Sequence, residues 1–156
     1  MKRIVFVCTG NTCRSSMAEA LLRHSLSESG LAGEYQVSSA GTSAFPGMPA
    51  SHNAIQALGA LGIDLSRHSS SIIDNDIIDG ADLILTMTAS HKKRLLQLRP
   101  DAAFKTYTLS EYIGASGSGD IEDPFGGDVE TYMNCRDEIS RHISVLVNKL
   151  KEKGEL

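Results

Sequence analysis

The chain alternates between short apolar runs and longer segments in which apolar residues recur every three or four positions. Four apolar runs predict β-strands, at residues 3–7, 35–39, 81–87 and 104–108. The first and third contain IVFV and LILTM, nearly continuous apolar runs that are typical of strands covered on both faces. Because helical segments separate these runs, we predict an α/β protein with parallel β-α units and right-handed crossovers.

The helical segments carry their apolar residues on one face. We predict helices over residues 15–29, 51–61, 74–79, 88–98 and 128–152, of which the third is only a short turn. Gly30 and Pro100 are expected to end the first and the fourth helix. The loops at 40–49 and 114–127 are rich in Gly, Ser and Pro, and we expect recognition to concentrate there.

Length, composition and charge limit the class of protein. The 156 residues predict a single domain, residues 1–156, of ordinary globular composition, with 41% hydrophobic and 22% charged residues. A net charge of −4 argues against broad binding to nucleic acid or to an anionic membrane. We expect no signal peptide, since Lys2-Arg3 precedes only a five-residue apolar stretch, and no run is long enough to span a bilayer. With three cysteines and no leader, we expect a cytoplasmic location and free thiols.

The segment after the first strand contains the candidate chemistry. Cys8 ends the apolar run, and Arg14-Ser15 opens the first helix, within CTGNTCRS. A loop between a strand end and a helix start aims backbone N–H groups and the helix dipole at one bound phosphate. The same positive field favours the ionised form of a thiol placed there, which makes the thiol a nucleophile. The loop also follows the carboxyl end of a strand, where open parallel sheets bind ligands.

A simpler interpretation of Cys8 is a small buried residue at a strand end, which is the commoner role of such a cysteine. The combination of Cys8 with Gly10, Arg14 and Ser15 between a strand and a helix favours a site instead. An ATP-type loop is excluded, because the pattern G-x-x-x-x-G-K-[ST] is missing. The sequence therefore predicts cysteine-dependent phosphoryl transfer.

Such a reaction also needs an acid that protonates the leaving atom. Asp123 in IEDPF is our candidate, since Pro124 restricts the backbone after it and Phe125 offers a flat apolar wall. Without the cysteine loop, Asp-Pro would be interpreted as the start of a turn.

These motifs resemble those of the low-molecular-weight protein-tyrosine phosphatases over nearly the whole chain. The matching segments are CTGNTCRS from Cys8, the MAEA that follows it, SAGTS from Ser39 and DPF from Asp123. The resemblance implies a three-layer α/β/α fold with a central four-stranded parallel sheet, the low-molecular-weight phosphatase type. It also implies Cys8 as nucleophile, Arg14 as phosphate clamp, and Asp123 as acid and then base.

The resemblance implies further roles around the loop. Asn11 would hold the loop in a strained shape, Ser15 would hydrogen-bond the thiolate, and Ser39 and His68 would be outer partners. The expected substrate- and phosphate-binding residues are Thr9, Gly10, Asn11, Thr12, Cys13, Arg14, Ser15 and Phe125. We expect no cofactor and no metal, because no further ligands at a recognisable spacing accompany the two loop cysteines.

Thr12 distinguishes two branches of this family. Tyrosine-specific members generally carry a bulky aliphatic residue here, commonly Ile, whereas the protein-arginine phosphatase branch carries Thr. The DPFGG segment, with Phe125 after the Pro, also resembles that branch. A hydroxyl on the pocket wall suits a polar guanidino group better than a phenyl ring. We expect hydrolysis of phosphoarginine in phosphorylated proteins through a phosphocysteine intermediate, with tyrosine-directed phosphatase activity as the alternative.

Two other functions fit the sequence less well. A thioredoxin-coupled arsenate reductase shares the fold and a similar loop, but it needs a relay of cysteines, and none lies between Cys13 and Cys135. A phosphate-binding module without catalysis is disfavoured by the intact Cys8, Arg14 and Asp123. We expect the protein to be a monomer.

The remaining cysteines and histidines have simpler interpretations. In the family, the cysteine at the place of Cys13 can form a disulfide with the nucleophile and protect it from over-oxidation; a plain packing thiol is an equal alternative. We expect Cys135 to pack in the last helix. Solvated or capping roles are expected for His24, His52, His91 and His142.

Overall fold

The centre of the molecule is a parallel β-sheet. The computed structural model describes residues 1–115 and 119–153, and four strands are found there: β1 (Lys2–Cys8), β2 (Tyr35–Gly41), β3 (Leu83–Thr86) and β4 (Thr106–Thr108). Their order is β2-β1-β3-β4, and each neighbouring pair is parallel. Since β2 and β3 lie on opposite sides of β1, the strand order reverses beside β1, and Cys8 lies at the carboxyl end of the strand at this switch point.

Helices cover both faces of the sheet. They are α1 (Arg14–Glu28), α2 (His52–Gly59), α3 (Asn75–Gly80), α4 (Ala89–Leu98), α5 (Leu109–Ile113) and α6 (Val129–Lys153), with a 3₁₀ helix at Pro100–Lys105.

The two faces of the sheet have separate hydrophobic cores, because alternate residues of a strand point to opposite faces. Ile4 and Phe6 of β1 belong to a larger core that α1, α2 and α6 cover. Val5 and Val7 belong to a smaller core with residues of α3 and α4. The predicted three-layer α/β/α fold with a four-stranded parallel sheet is therefore confirmed.

No boundary of a predicted element differs from the structure by more than two residues, but two features need a correction. The predicted strand at 104–108 begins only at Thr106, because Pro100 starts a 3₁₀ helix that leaves Phe104 77% exposed. Helix α5 was not predicted at all. Its start is a capping box in which Thr108 and Glu111 bond each other's backbone, a pattern of Thr followed three residues later by Glu.

The predicted single domain 1–156 and the predicted recognition loop 114–127 include residues 154–156 and 116–118, which lie outside the described residues. Within the described ranges, no helix is both long enough and apolar enough to cross a membrane.

Candidate active site

A cavity of about 280 Å³ lies at the carboxyl end of β1. Its lining residues come from the loop after β1, from the start of α1 and from a distant loop before α6: Cys8, Thr9, Gly10, Thr12, Cys13, Arg14, Asp123 and Phe125. The fold thus brings the predicted acid Asp123 to the predicted nucleophile Cys8. Asn11 and Ser15, which we also expected among the binding residues, do not line the cavity; their side chains support the loop from behind.

Cys8 is the last residue of β1 and is only 2% exposed. Its Sγ lies 2.8 Å from Ser15 Oγ, so the hydroxyl is placed to donate to a thiolate. Helix α1, which is described over its whole length, has no acidic residue in its first turn and no side-chain cap at Cys13. The positive end of its dipole therefore faces the loop without a neutralising carboxylate.

Arg14 is buried, and its Nε has no hydrogen-bond partner among the described residues. Its Nη1 donates to the Ile121 carbonyl oxygen at 3.0 Å, and its Nη2 lies 3.5 Å from Asp123 Oδ2. Nε makes no hydrogen bond to any residue within 1–115 or 119–153, although it is shielded from solvent. Buried donors rarely stay unpaired. A guanidinium on the cavity wall with a free Nε–H fits an oxyanion that is bound in the cavity.

The loop that carries Asp123 is fixed on both sides. Ile121 is fully buried, and its N–H donates to the Met87 carbonyl oxygen at 3.0 Å. On the other side, Asn53 donates to the Gly127 carbonyl oxygen at 3.1 Å. The Asp123 side chain is half exposed, and its Oδ1 accepts the N–H of Phe125. The carboxyl group can therefore exchange protons with water while it faces the cavity.

Asn11 determines the shape of the loop. Its φ is 59°, in the left-handed region that Asn tolerates better than most residues. Its Nδ2 donates to Ser15 Oγ and to Ser39 Oγ, both at 2.8 Å, and its Oδ1 accepts the N–H of Ser71 at 2.9 Å. His68 Nε2 donates to its carbonyl oxygen at 2.6 Å. The contacts expected of Ser39 and His68 are therefore present.

Gly41 at the end of β2 allows the neighbouring segment to approach the loop. A Cβ at this position would lie 2.3 Å from the Thr9 carbonyl oxygen. Because there is no side chain, Thr42 and Ser43 can donate their N–H groups to the carbonyl oxygens of Cys8 and Thr9. The end of the SAGTS segment thus binds the backbone carbonyl groups at the start of the loop.

Cys13 contacts α6 rather than Cys8. Its Sγ lies 3.2 Å from the Tyr132 hydroxyl, which is buried, and burial together with this contact raises the pKa of Tyr132 to about 12. Cys8, Cys13 and Cys135 are free thiols in this structure, so the disulfide between Cys8 and Cys13 stays a prediction. Burial raises the pKa of Cys135 to about 12, and this thiol packs inside α6 as expected.

His91 was interpreted wrongly from the sequence as a solvated or capping residue. It is 7% exposed, and its ring lies between Thr9 and Thr88, with Nε2 at 2.9 Å from Thr9 Oγ1. Burial, followed by the nearby charge of Arg14, lowers the pKa of His91 to about 4. The sequence contains one signal for this role: His91 lies one helical turn after the cap residue Thr88, just beyond the carboxyl end of a buried strand.

The other histidines lie outside the cavity. His24 forms an exposed pair with Glu28, as expected. His142 is half-buried, and both its ring nitrogens are hydrogen-bonded, to Ser110 Oγ and the Glu138 carbonyl oxygen. Among the described residues, no group of three or more His, Cys, Asp or Glu side chains is arranged to hold a metal ion.

A parallel α/β sheet whose switch-point cavity combines a thiol, a buried guanidinium and a carboxylate defines a class of cysteine-centred, phosphate-handling proteins. Residues 3–156 match the family model described as low molecular weight phosphotyrosine protein phosphatase, and the chain belongs to this family. The family that the motifs predicted is thereby confirmed.

Individual relatives refine this placement. The chain is 44% identical over 149 residues to a protein-arginine-phosphatase of Geobacillus stearothermophilus, covering 96% of each sequence. It is 41% identical over 149 residues to a protein-arginine-phosphatase of Bacillus subtilis (strain 168), covering 96% of this chain and 97% of that one. Among solved structures, a YwlE arginine phosphatase mutant with a phosphorylated active site serine superimposes with a TM-score of 0.90, at 40% identity and over 96% and 95% of the two chains.

Proposed function

We propose that this protein is a protein-arginine phosphatase, which hydrolyses phosphoarginine side chains in phosphorylated proteins through a phosphocysteine intermediate. The observation that carries the proposal is one cavity in which Cys8, Arg14 and Asp123 meet beside the hydroxyl-bearing side chain of Thr12. The relatives named protein-arginine-phosphatase, at 44% and 41% identity, support the choice of substrate.

The loop and Arg14 bind the phosphoryl group in this proposal. Backbone N–H groups of residues 9–14 surround its oxygens, and the helix dipole of α1 favours their negative charge. Arg14 adds a charge-assisted hydrogen bond from Nε, whose proton has no partner among the described residues. This charge stabilisation increases as negative charge develops on the oxygens during transfer.

In the first chemical step, Cys8 Sγ attacks phosphorus in line with the phosphorus–nitrogen bond of phosphoarginine. That bond breaks, the phosphoryl group moves to sulfur, and Asp123 donates its proton to the departing nitrogen. A free guanidine has a pKa above about 12, so departure without this proton would be very unfavourable. The hydroxyl of Ser15, 2.8 Å from Cys8 Sγ, stabilises the thiolate before the attack.

In the second step, the Asp123 carboxylate takes a proton from a water molecule, whose oxygen attacks phosphorus. The sulfur–phosphorus bond breaks, which releases inorganic phosphate and restores the Cys8 thiolate. The phosphorylated active site serine of the YwlE mutant supports a covalent phosphoryl-enzyme on this path.

Thr12 supports a guanidino substrate over an aryl one. It lines the cavity, and its Oγ1 lies 3.8 Å from Cys13 Sγ, a weak contact that leaves the hydroxyl available. A planar guanidino group offers N–H donors to this oxygen, whereas a phenyl ring offers none.

Matched peptides that carry phosphoarginine or phosphotyrosine test the proposal. We expect the unaltered protein to hydrolyse the phosphoarginine peptide with the higher kcat/KM. Thr12→Val, which removes only the hydroxyl, should lower this preference about tenfold, the effect of one lost hydrogen bond, and Thr12→Ile should lower it further. Thr12→Ser keeps the hydroxyl and is the matched control. A preference of the unaltered protein for phosphotyrosine would contradict the proposal.

The alternative substrate is phosphotyrosine. Phe125 is 80% exposed at the cavity rim, where its flat apolar ring could pack against a phenyl group, and the family description names phosphotyrosine. The same peptide comparison decides between the two substrates. An arsenate reductase remains disfavoured, because no cysteine lies between Cys13 and Cys135 and the latter is buried in α6.

We also propose that the protein acts as a cytoplasmic monomer on phosphorylated proteins, without nucleic-acid or membrane partners. The net charge of −4 and the three free cysteines support this part of the proposal. Light scattering behind a sizing column tests the oligomeric state.

A further inference from the structure

The imidazole of His91 connects the start of α4 to the candidate phosphate-binding loop. Its Nε2 lies 2.9 Å from Thr9 Oγ1, and its Nδ1 lies 3.0 Å from Thr88 Oγ1. The ring is buried, whereas Thr9 is exposed and lines the cavity. A buried side chain from another element therefore contacts the residue directly after Cys8.

The contacts around Thr88 fit one tautomer of this ring. Thr88 Oγ1 accepts the backbone N–H of His91 at 3.2 Å as the N-cap of α4. The hydroxyl has one proton of its own, and in this tautomer it donates that proton to His91 Nδ1 at 3.0 Å. With Nδ1 as acceptor, the neutral ring carries its proton on Nε2 and donates it to Thr9 Oγ1.

The same tautomer leaves the hydroxyl proton of Thr9 free. Because Thr9 Oγ1 accepts from His91, its own proton is free to point away from the ring. Thr9 lines the cavity beside Cys8, so that proton is available to an oxygen of a bound phosphoryl group.

The same end of α4 also holds the loop that carries Asp123. Asp120 Oδ1 accepts the N–H of Ala89 at 2.9 Å, and Ile121 donates its N–H to the Met87 carbonyl oxygen. Residues 87–91 thus contact both the cysteine loop and the acid loop, which must stay aligned on opposite sides of the phosphorus atom.

The ring stays neutral under ordinary conditions. Burial and the neighbouring Arg14 lower the pKa of His91 to about 4, against the opposing effects of Asp120 and Asp123. The pattern of donors and acceptors is therefore constant well above that pH.

We propose that His91 is a positioning residue for the phosphatase reaction: through Nε2 it holds Thr9 so that the Thr9 hydroxyl donates to the phosphoryl group. The inference rests on the proposed function, since it assigns a role in that reaction. If His91 acts through Thr9, substitution of His91 should have no further effect once the Thr9 hydroxyl is removed. A histidine that only stabilises the fold would have the same effect with or without that hydroxyl.

A double-mutant cycle with Thr9→Val and His91→Leu tests this dependence, with kcat/KM for the phosphoarginine peptide as the readout. Each single variant should lose about tenfold, as expected for one hydrogen bond, and the double variant should lose no more than either single one. His91→Gln, whose amide nitrogen can still donate to Thr9, should recover part of the loss. His142→Leu, which removes another imidazole with both nitrogens bonded, is the matched control and should keep full activity.

Additive losses, or a His91→Leu variant with unaltered activity, would overturn the inference. Calorimetric binding of inorganic phosphate to the same proteins provides a readout that does not need turnover, and Thr9→Val and His91→Leu should each weaken it by about tenfold. If His91→Leu does not fold, Thr9→Val and His91→Gln remain, and unaltered phosphate affinity in Thr9→Val overturns the inference. If the unaltered protein hydrolyses neither peptide, the proposed function fails, while phosphate binding still decides the role of His91.

Discussion

Arg14 and Asp123 both line the cavity, with 3.5 Å between Arg14 Nη2 and Asp123 Oδ2. Arg14 is buried, whereas Asp123 is half exposed, so this ion pair contributes little to stability. The ion pair matters for the proposed reaction, because an oxyanion bound to Arg14 would neutralise the positive charge beside the Asp123 carboxyl group. The pair therefore places the candidate acid beside the guanidinium that would hold the phosphoryl group.

The acid role of Asp123 predicts a dependence on the leaving group. Asp123→Asn should lower kcat for a phosphoarginine peptide by about 10²–10⁴, the usual contribution of a general acid. The loss should be much smaller for p-nitrophenyl phosphate, because its phenolate leaves without a proton. Steady-state kinetics with both substrates measures the difference, and Glu122→Gln, the neighbouring exposed carboxylate, is the control. An equal loss with both substrates would argue against the acid role.

Asn11 is predicted to matter for stability as well as activity. Asn11→Ala removes three side-chain hydrogen bonds, to Ser15, Ser39 and Ser71, and leaves a residue that tolerates the positive φ less well. We expect the free energy of unfolding to fall by about 2–4 kcal/mol, measured by denaturant unfolding. Asn53→Ala removes one half-buried bond, to Gly127, and should lose about 1 kcal/mol or less. Equal losses in the two variants would contradict this role.

The buried neutral state of His91 predicts a loss of stability on acidification. Its pKa is about 4 in the folded protein, below the ordinary value of 6.5, so between these pH values the unfolded chain binds a proton that the folded protein excludes. The free energy of unfolding should therefore fall as the pH is lowered through this window, by at most about 3 kcal/mol.

His91→Gln should flatten this part of the curve of unfolding free energy against pH. His24→Gln removes an exposed histidine and should leave the curve as it is. The same slope in His91→Gln and in the unaltered protein would show that His91 is not the group responsible.

Cys8 and Cys13 line the same cavity, and this placement predicts a reversible oxidation. Mild treatment with peroxide should oxidise Cys8 to a sulfenic acid, which Cys13 attacks with loss of water to form a disulfide. Intact mass should fall by two hydrogens, and a reductant should restore both mass and activity. Tyr132→Phe should speed the step, because it removes the hydroxyl that lies 3.2 Å from Cys13 Sγ. Cys13→Ser is the control, and a disulfide that involves Cys135 would contradict the prediction.

The features that the sequence predicted best are those within one local segment. The apolar run before Cys8 and the Arg14-Ser15 start of α1 fixed a strand, a loop and a helix whose relative placement needs no distant contact. Asp123 was predicted because the leaving atom needs an acid that protonates it. The structure places this residue on the cavity wall.

The features that the sequence missed depend on contacts between distant elements. His91 approaches Thr9 only because β1 and β3 are neighbours in the sheet, and the hydrophobic pattern of α4 contains no sign of that contact. The approach of Tyr132 to Cys13 likewise depends on how α6 packs against α1. Helix α5 was overlooked for another reason, because a five-residue helix carries too few apolar positions to show a period.

Locating the phosphoryl group during turnover tests directly whether Cys8 is the nucleophile. Rapid quenching of the protein with excess phosphoarginine peptide, followed by peptide mapping in a mass spectrometer, should find one phosphoryl group on Cys8 and none in Cys8→Ala. Cys8→Ala should bind inorganic phosphate but release none from the peptide. Turnover by Cys8→Ala, or a phosphoryl group on any other residue, would contradict the central claim that this thiol is the nucleophile.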